Sequence, residues 1–379
     1  MIYLDNASTT FPKPPEVVTA VTEFLRAGAV NPGRGNYAAA LAAAKIIEDA
    51  RFRVASLFGI KNPSRLAFTL NATDALNAAI KGFVRSGDRV VATTLEHNAV
   101  VRPLSTLSRK GLIDVEFVRH TPEGLIEPSA IEKSLEKKTR LVAMTHGSNV
   151  FGAVTDIEAV AAICRRKNVA LLVDASQTAG HVRLDVEKLG LDFVAFSGHK
   201  GLYGPTGTGC LYVREGIEIS PWREGGAGEG QARASSEELK MPLFIETGTQ
   251  NTVGIAGLGA AAKFVADNFS EIESRAAKLT RIIIEGLSSI KNVEVLGPKD
   301  ESAKLPVVSF IVRRDNFSAN AMSLALDEGY AISVRGGEHC APLAHKGFYE
   351  SGTLRASPGF FNTPEHAEKF VEAVAGLLR

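Results

Sequence analysis

The 379 residues lean to neither sign of charge: 43 Lys and Arg stand against 42 Asp and Glu, a formal net charge of +1. Such balance gives no electrostatic footprint for nucleic acid or for an anionic membrane, so neither is expected as a partner. Long apolar runs are missing too, none approaching the roughly 18 residues that a membrane span needs. The amino-terminal MIYLDNASTT has neither the basic start nor the apolar stretch of a targeting segment. These absences lead us to expect a cytoplasmic protein. Cysteine is scarce: Cys164, Cys210 and Cys340 are far apart and odd in number, which argues against a disulfide framework and against a CxxC metal site. No metal is expected. Internal repeats and low-complexity segments are absent. The glycine-rich stretches lack nucleotide chemistry, since Gly204 to Gly209 has no lysine-serine/threonine ending and no strand precedes Gly254 to Gly259.

What is present is a large, patterned apolar content. At 45% hydrophobic the chain can bury a sizeable core, and its length suits two domains. Short apolar runs at Leu66 to Leu70, Val90 to Thr94, Leu141 to Thr145, Ala170 to Asp174, Phe193 to Ser197 and Cys210 to Val213 read as strands. Their character is mostly unbroken, as buried parallel strands should be, and helical patterns separate most of them. Helices are also expected over Pro15 to Arg26 and Tyr37 to Phe58. Gly225 to Gly230, with the polar run behind it, reads as a mobile loop rather than a phosphate cradle. Beyond it the pattern predicts two long helices, Thr252 to Phe269 and Glu271 to Ser289. Strands at Val293 to Leu296, Val307 to Val312 and Ala331 to Val334 follow, with helices at Ala319 to Glu328 and Pro364 to Leu378. This is an α/β chain in which a large, mostly parallel sheet is covered by helices and a smaller carboxyl-terminal α+β domain follows. The expected division is an amino-terminal segment 1–20 lying near the small domain, a large domain 21–255 and a small domain 256–379.

The stretch Phe193 to Gly209 carries the first chemical signal: an apolar strand breaks into Ser197-Gly198-His199-Lys200, and four glycines follow within nine residues. A lysine on a tight turn becomes a nucleophile toward an aldehyde when its pocket is partly dry and the backbone can approach closely. The plain alternative is a solvated loop lysine. A second run, Ala170 to Val173, ends on Asp174, which puts a carboxylate at a strand's carboxyl end, where open α/β sheets bind ligands. A lysine that condenses with an aldehyde and an aspartate that pairs with a pyridinium nitrogen are what pyridoxal phosphate needs.

At these residues the chain resembles a known family. DASQ at Asp174 to Gln177 and SGHK at Ser197 to Lys200 are similar to the class V aminotransferase-fold enzymes, and within them to the cysteine desulfurase and selenocysteine lyase branch. The likeness runs from YLDNASTT at Tyr3 to Thr10 through RASPGFFNT at Arg355 to Thr363. It implies the type I fold of pyridoxal-phosphate enzymes and a homodimer. Asn71-Ala72-Thr73-Asp74, between a strand and an apolar helix, has the form of a phosphate-binding helix start, and equally of an ordinary helix cap. The resemblance favours phosphate at Ala72 and Thr73, by backbone alone at Ala72, where the family usually has a hydroxyl. It also implies phosphate contacts from Ser197 and His199, and from Thr249 of the other subunit. His97 is implied to stack on the cofactor ring and move protons; it could also merely start a helix. Asn149 and Gln177 match positions near the cofactor's phenolic oxygen. Arg355 matches the clamp for the substrate's α-carboxylate, with Asn149 beside it; as an isolated guanidinium it could instead bridge domains.

Arg335 to Ala341, reading RGGEHCA, is expected to be a turn that exposes Cys340. The segment resembles the short-loop group of desulfurases, in which the cysteine attacks the substrate's sulfur. What the resemblance implies is conversion of L-cysteine to L-alanine with a persulfide on Cys340, passed on to a sulfur-acceptor protein. Selenocysteine lyase acting on L-selenocysteine, another class V transaminase or lyase, and a non-catalytic binding protein stay open. The intact set of Lys200, Asp174, Arg355 and Cys340 argues against the last.

Overall fold

Seven strands, most of them apolar and each flanked by a helix or a tight turn, assemble into the central sheet of the computed structural model, which describes residues 1–27, 30–32, 35, 37–226, 240–300, 304–314, 317–349 and 352–379. The run expected to be a mobile loop falls, from 227 to 239, outside the described residues. In chain order the elements begin with β1 (Ile2–Tyr3), α1 (Pro15–Arg26), α2 (Ala38–Leu57), β2 (Leu66–Thr69), α3 (Ala72–Phe83), β3 (Arg89–Thr93) and α4 (Asn98–Arg109). They continue through β4 (Asp114–Val118), α5 (Pro128–Ser134), β5 (Thr139–Thr145), α6 (Ile157–Lys167), β6 (Ala170–Asp174), α7 (Val186–Leu189), β7 (Phe193–Ser197) and β8 (Gly209–Val213). The remainder is α8 (Thr252–Ser288), β9 (Val293–Val295), β10 (Val308–Val312), α9 (Ala319–Tyr330), β11 (Ile332–Ser333), β12 (Arg335–Gly337), α10 (Pro342–His345), β13 (Thr353–Ala356) and α11 (Pro364–Leu377).

The large sheet runs β2-β8-β7-β6-β5-β3-β4. Only β8 is reversed, pairing antiparallel with both β2 and β7, so the other six strands end at one rim. Central strands β6 and β7 are buried almost throughout, which is why they read as continuous apolar runs. Edge strand β4 (DVEFV) escaped the sequence reading because it is polar and partly exposed.

Three expectations need correction. Thr252 to Ser288 is one helix of 37 residues, not two. The polar stretch around Asn268 to Glu273 looked like a break, but polar residues lie on an exposed face and no proline interrupts the backbone. The strand expected at Ala331 to Val334 is only Ile332–Ser333, and it pairs in parallel with β1 at the chain's start. Arg335 to Gly337 is strand rather than turn, hydrogen-bonded to β13 in the four-stranded sheet β12-β13-β10-β9.

Two apolar clusters sit on either side of the large sheet, and a third packs Leu279, Ile283 and Leu287 of α8 against Val308, Phe310 and Phe370. The chain's first residues tie the small sheet to the large one. Asp5 forms a bridge with Ser357, while Thr10 donates its N–H to the carbonyl of His199 (3.1 Å).

Candidate active site

The carboxyl ends of β2, β3, β5, β6 and β7 converge on a cavity of about 290 Å³. Every strand brings a polar side chain to it, as the rim of a parallel sheet does in open α/β folds. From β2 comes the start of α3, where the Asn71 side chain caps the helix by accepting from the Asp74 N–H (2.9 Å), so the cap is real, and Ala72 and Thr73 line the cavity as well. This backbone lies hard against β8. A Cβ on Gly209 would meet Asn71 at 2.4 Å, which explains one of the glycines after the lysine.

From β3 comes His97, which starts a helix and also reaches the cavity. Its Nδ1 accepts from the Ala99 N–H (3.0 Å) at the head of α4, and its ring borders the cavity. Burial and the neighbouring Lys200 pull its pKa from 6.5 to about 4, so it is neutral at physiological pH. From β6 comes Asp174, 5% exposed, one oxygen accepting from the Ser176 N–H (2.9 Å). Gln177 follows and donates to the Ala7 carbonyl (3.1 Å).

From β7 come Ser197, His199 and Lys200, all on the cavity wall. The turn is fixed by the Tyr203 N–H to the Lys200 carbonyl (2.7 Å) and by Gly204 N–H to the Gly198 carbonyl (2.8 Å). Thr10 donates its hydroxyl to the carbonyls of His199 and Lys200, and Lys13 adds its ammonium to the His199 carbonyl (2.9 Å). Burial lowers the Lys200 pKa, Asp174 opposes, and Arg355 and Arg335 add to the lowering. The net direction is toward easier loss of the ammonium proton, the change a nucleophilic amine needs.

The opposite wall belongs to the small sheet. Arg355 on β13 is 1% exposed and donates Nη1 to the Asn149 carbonyl (3.0 Å) and Nη2 to Asp5 Oδ1 (2.8 Å) and Ser8 Oγ (2.9 Å). Its Nε is buried with no partner. Arg335 on β12 donates to Ser8 Oγ (3.0 Å) and to Cys340 Sγ (3.1 Å). Cys340 is half-buried, while Cys164 and Cys210 are buried in α6 and β8. Both His339 and Cys340 have left-handed backbone, φ 51° and 60°, an unfavourable conformation for side-chain-bearing residues in succession. The turn is held from outside: Asn149 Nδ2 donates to the His339 carbonyl (2.6 Å) and the Asn98 N–H to that of Cys340 (2.8 Å).

The cavity thus gathers Ala72, Thr73, His97, Asn149, Asp174, Gln177, Ser197, His199, Lys200 and Arg355, with Cys340 held at its edge through Arg335. Thr249 is not on the wall; it is exposed, beyond the amino end of α8. Ser8 and Arg335 were missed as site residues. The motifs around them, YLDNASTT and RGGEHCA, were the available signal, but attention fell on the cysteine alone.

A mostly parallel sheet with a lysine and an aspartate at adjacent strand ends, faced by an arginine and a cysteine from a second sheet, defines an enzyme of the aminotransferase type. The chain belongs to the family described as aminotransferase class V, whose match covers residues 2–370, and within it to the cysteine desulfurases. It is 35% identical to a probable cysteine desulfurase of Methanothermobacter thermautotrophicus, over 99% of this chain and 95% of that one. Similarity to a cysteine desulfurase of Escherichia coli (strain K12 / DH10B) is 31%, over 100% and 94%. An apo structure of the cysteine desulfurase from Thermococcus onnurineus NA1 superposes with a TM-score of 0.91 at 33% identity, covering 99% of this chain and 94% of that one. Among the described residues no helix is long and apolar enough to cross a membrane, and no cluster of side chains suits a metal ion.

Proposed function

We propose that the protein is a pyridoxal-phosphate-dependent cysteine desulfurase that converts L-cysteine to L-alanine and takes the sulfur onto Cys340. The observation that carries this reading is the pairing of two guanidiniums: Arg355, with one donor unspent inside a closed wall, and Arg335, laid against the sulfur of Cys340.

The residues fit the cofactor. Ser176 Oγ and His199 Nδ1 border the cavity and are buried without partners, and the amino end of α3 opens onto the same space. Ala72, Thr73, Ser197 and His199 would hold the phosphate, Asp174 the pyridine nitrogen, and Gln177 and Asn149 the phenolic side, with His97 against the ring. When bound, pyridoxal phosphate supplies an electron sink for cleavage of the substrate's C–S bond. Lys200, whose ammonium burial disfavours, would bind the aldehyde and afterwards carry protons to and from the substrate carbon. Arg355 orients the α-carboxylate through its free Nε and a neighbouring N–H. Cys340, its sulfur oriented by the contact with Arg335, attacks the substrate sulfur; that atom leaves carbon for Cys340 as a persulfide, and the carbon is protonated to give alanine.

In this reading the working unit is a pair of chains, with Thr249 reaching the phosphate of the partner's site. Exposed Val18, Leu25, Leu41, Ile46 and Phe52 on α1 and α2 offer an apolar face for that contact. The chain divides at 256 into large and small domains, and an acceptor protein takes the sulfur from Cys340.

The test is alanine formation from L-cysteine beside L-selenocysteine, in the parent and in Cys340→Ala. The variant should lose alanine production from cysteine, and the parent treated with cysteine should carry one extra sulfur on Cys340 by mass spectrometry. Parental turnover in Cys340→Ala with no persulfide would assign the site to another class V lyase. Turnover confined to selenocysteine would assign it to selenocysteine lyase.

A further inference from the structure

The segment that carries Cys340 is gripped from both sheets. On the large side the Asn149 amide and the Asn98 N–H hold the carbonyls of His339 and Cys340. On the small side a single hydroxyl does the holding. Thr353 Oγ1, on β13 and fully buried, lies 2.9 Å from His339 Nε2 and 3.4 Å from His345 Nε2, while His345 Nδ1 lies 3.2 Å from the Ala341 carbonyl. Both rings are buried, which lowers both pKa values, that of His339 to about 2 with Arg355 adding to the fall, so both are neutral. Neutrality leaves one arrangement of protons. A carbonyl only accepts, so His345 carries its proton on Nδ1 and its Nε2 is bare. Thr353 therefore donates to His345 and, with its one proton spent, accepts from His339 Nε2.

We infer that Thr353 is a positioning residue for the attack on sulfur: its hydroxyl, shared between His339 and His345, fixes the turn that presents Cys340 in register with Arg355, two residues along the same strand. The inference rests on the proposed desulfurase reading, in which Arg355 takes the α-carboxylate and Cys340 the sulfur. One substrate then has to meet both groups at once, so the spacing between them must be set by the chain before the substrate arrives. The turn needs outside support. His339 and Cys340 are successive residues with left-handed backbone, a conformation that persists only where the surroundings over-determine it. At Thr353, β13 pairs with Gly337, the last residue of β12, so the chain leaves the sheet there and the hydroxyl takes over. The two histidines stand at either end of the segment 339–345 and meet on one oxygen, which ties both ends to β13. The bonds from Asn149 and Asn98 do not involve that oxygen and would outlast its removal.

The test uses the loaded enzyme and, for a readout free of turnover, the cofactor-free protein. Thr353→Val keeps the shape of the side chain and removes the hydroxyl, whereas Thr353→Ser keeps the hydroxyl. In Thr353→Val, kcat for alanine formation from L-cysteine should fall about tenfold or more, because a small misplacement of the attacking atom is costly, while KM stays within about twofold of the parent. L-Alanine, its binding read from the cofactor's absorption, should bind as to the parent, since Arg355 is untouched. Iodoacetamide should alkylate Cys340 of the cofactor-free valine variant several-fold faster, the loosened turn exposing the thiol. Thr353→Ser should return every one of these values to the parent's. If Thr353→Val does not fold, His345→Phe deprives the same hydroxyl of its acceptor and decides the matter alone, by the same fall in kcat at unchanged KM. A parental kcat in the variant that decides, a serine variant as impaired as the valine one, or an equal loss of L-alanine binding overturns the positioning role and leaves the proposed activity standing. A parent that forms no alanine from cysteine overturns that activity and this inference together.

Discussion

Arg51, largely buried, and Arg355, fully buried, each meet a carboxylate, and they are finished differently. Arg51 pairs both of its terminal nitrogens with Glu246 and gives a further bond to the Leu66 carbonyl (2.7 Å). Glu246 also accepts from the Phe68 N–H (2.6 Å) and Gln250 (2.6 Å), so the carboxylate is saturated and no buried donor of Arg51 lacks a partner. Arg355 shares one oxygen of Asp5 with Ser8, and its Nε has no partner. The saturated pair locks α2 to β2 and to the chain beyond β8; the other leaves a donor open on the cavity wall. Buried donors are costly to leave open, and this one belongs to a side chain on the cavity wall.

Breaking the saturated pair should have the largest effect. Arg51→Met leaves Glu246 buried without its cation, and we expect a loss of about 3–5 kcal/mol in unfolding free energy by urea denaturation. The same experiment on Arg355→Lys should show a smaller loss. There the damage falls on ligand: without the planar fork, cysteine binding weakens by about 2 kcal/mol, roughly thirtyfold, seen as a rise in KM. If the two variants exchange effects, the contrast between scaffold pair and binding pair is wrong.

Acid separates the regions further. His97 and His199 at the cavity have pKa values pulled by burial from 6.5 to about 4. Between those values the unfolded chain binds protons that the native one refuses, so their contribution is full above pH 6.5 and drains away as pH falls toward 4. Each should contribute on the order of 1 kcal/mol to that loss, after allowance for their partial exposure, and His97→Asn should make the pH dependence of the urea midpoint shallower.

At pH 5 the smallest effect is expected at Glu96, a carboxyl 0% exposed that accepts from Thr93 (2.5 Å) and the Thr145 N–H (3.1 Å) but faces no cation. Burial raises its pKa to about 8, so the native state holds a proton that the unfolded chain releases above 4.5. Glu96→Gln should lie within about 0.5 kcal/mol of the parent at pH 5, and the parent should fall behind as the pH rises to 8. Equal pH dependence in the two proteins would mean that Glu96 is ionised in the fold.

The sequence disclosed one side of the site better than the other. Asp174 and Lys200 stand where apolar runs stop, and a strand's end is a local signal. Arg355 was found by resemblance, and its isolation among small residues said only that it was unusual. The chain separation hid the network around it: Ser8 reaches Arg335 across 327 positions and Arg355 across 347. No window reads a contact made by folding the first strand onto the last sheet. The reverse strand β8 was legible as a strand but not in direction, because a buried apolar run looks the same whichever way it points.

Helix α8 sets the phase of the whole assembly. Its 37 residues extend about 55 Å, from Ile255 and Leu258 in the core beside the large sheet to Ile283 and Leu287 under the small one. A continuous helix is a screw: adding one residue in its middle advances everything beyond by about 1.5 Å and turns it through about 100°. The wall bearing Arg355 and Cys340 would then be rotated away from Lys200 although every residue of both remained in place. A change in the length of a surface connection leaves that phase alone, but within α8 an insertion or deletion is mechanically equivalent to removing Arg355 and Cys340 from the cavity at once.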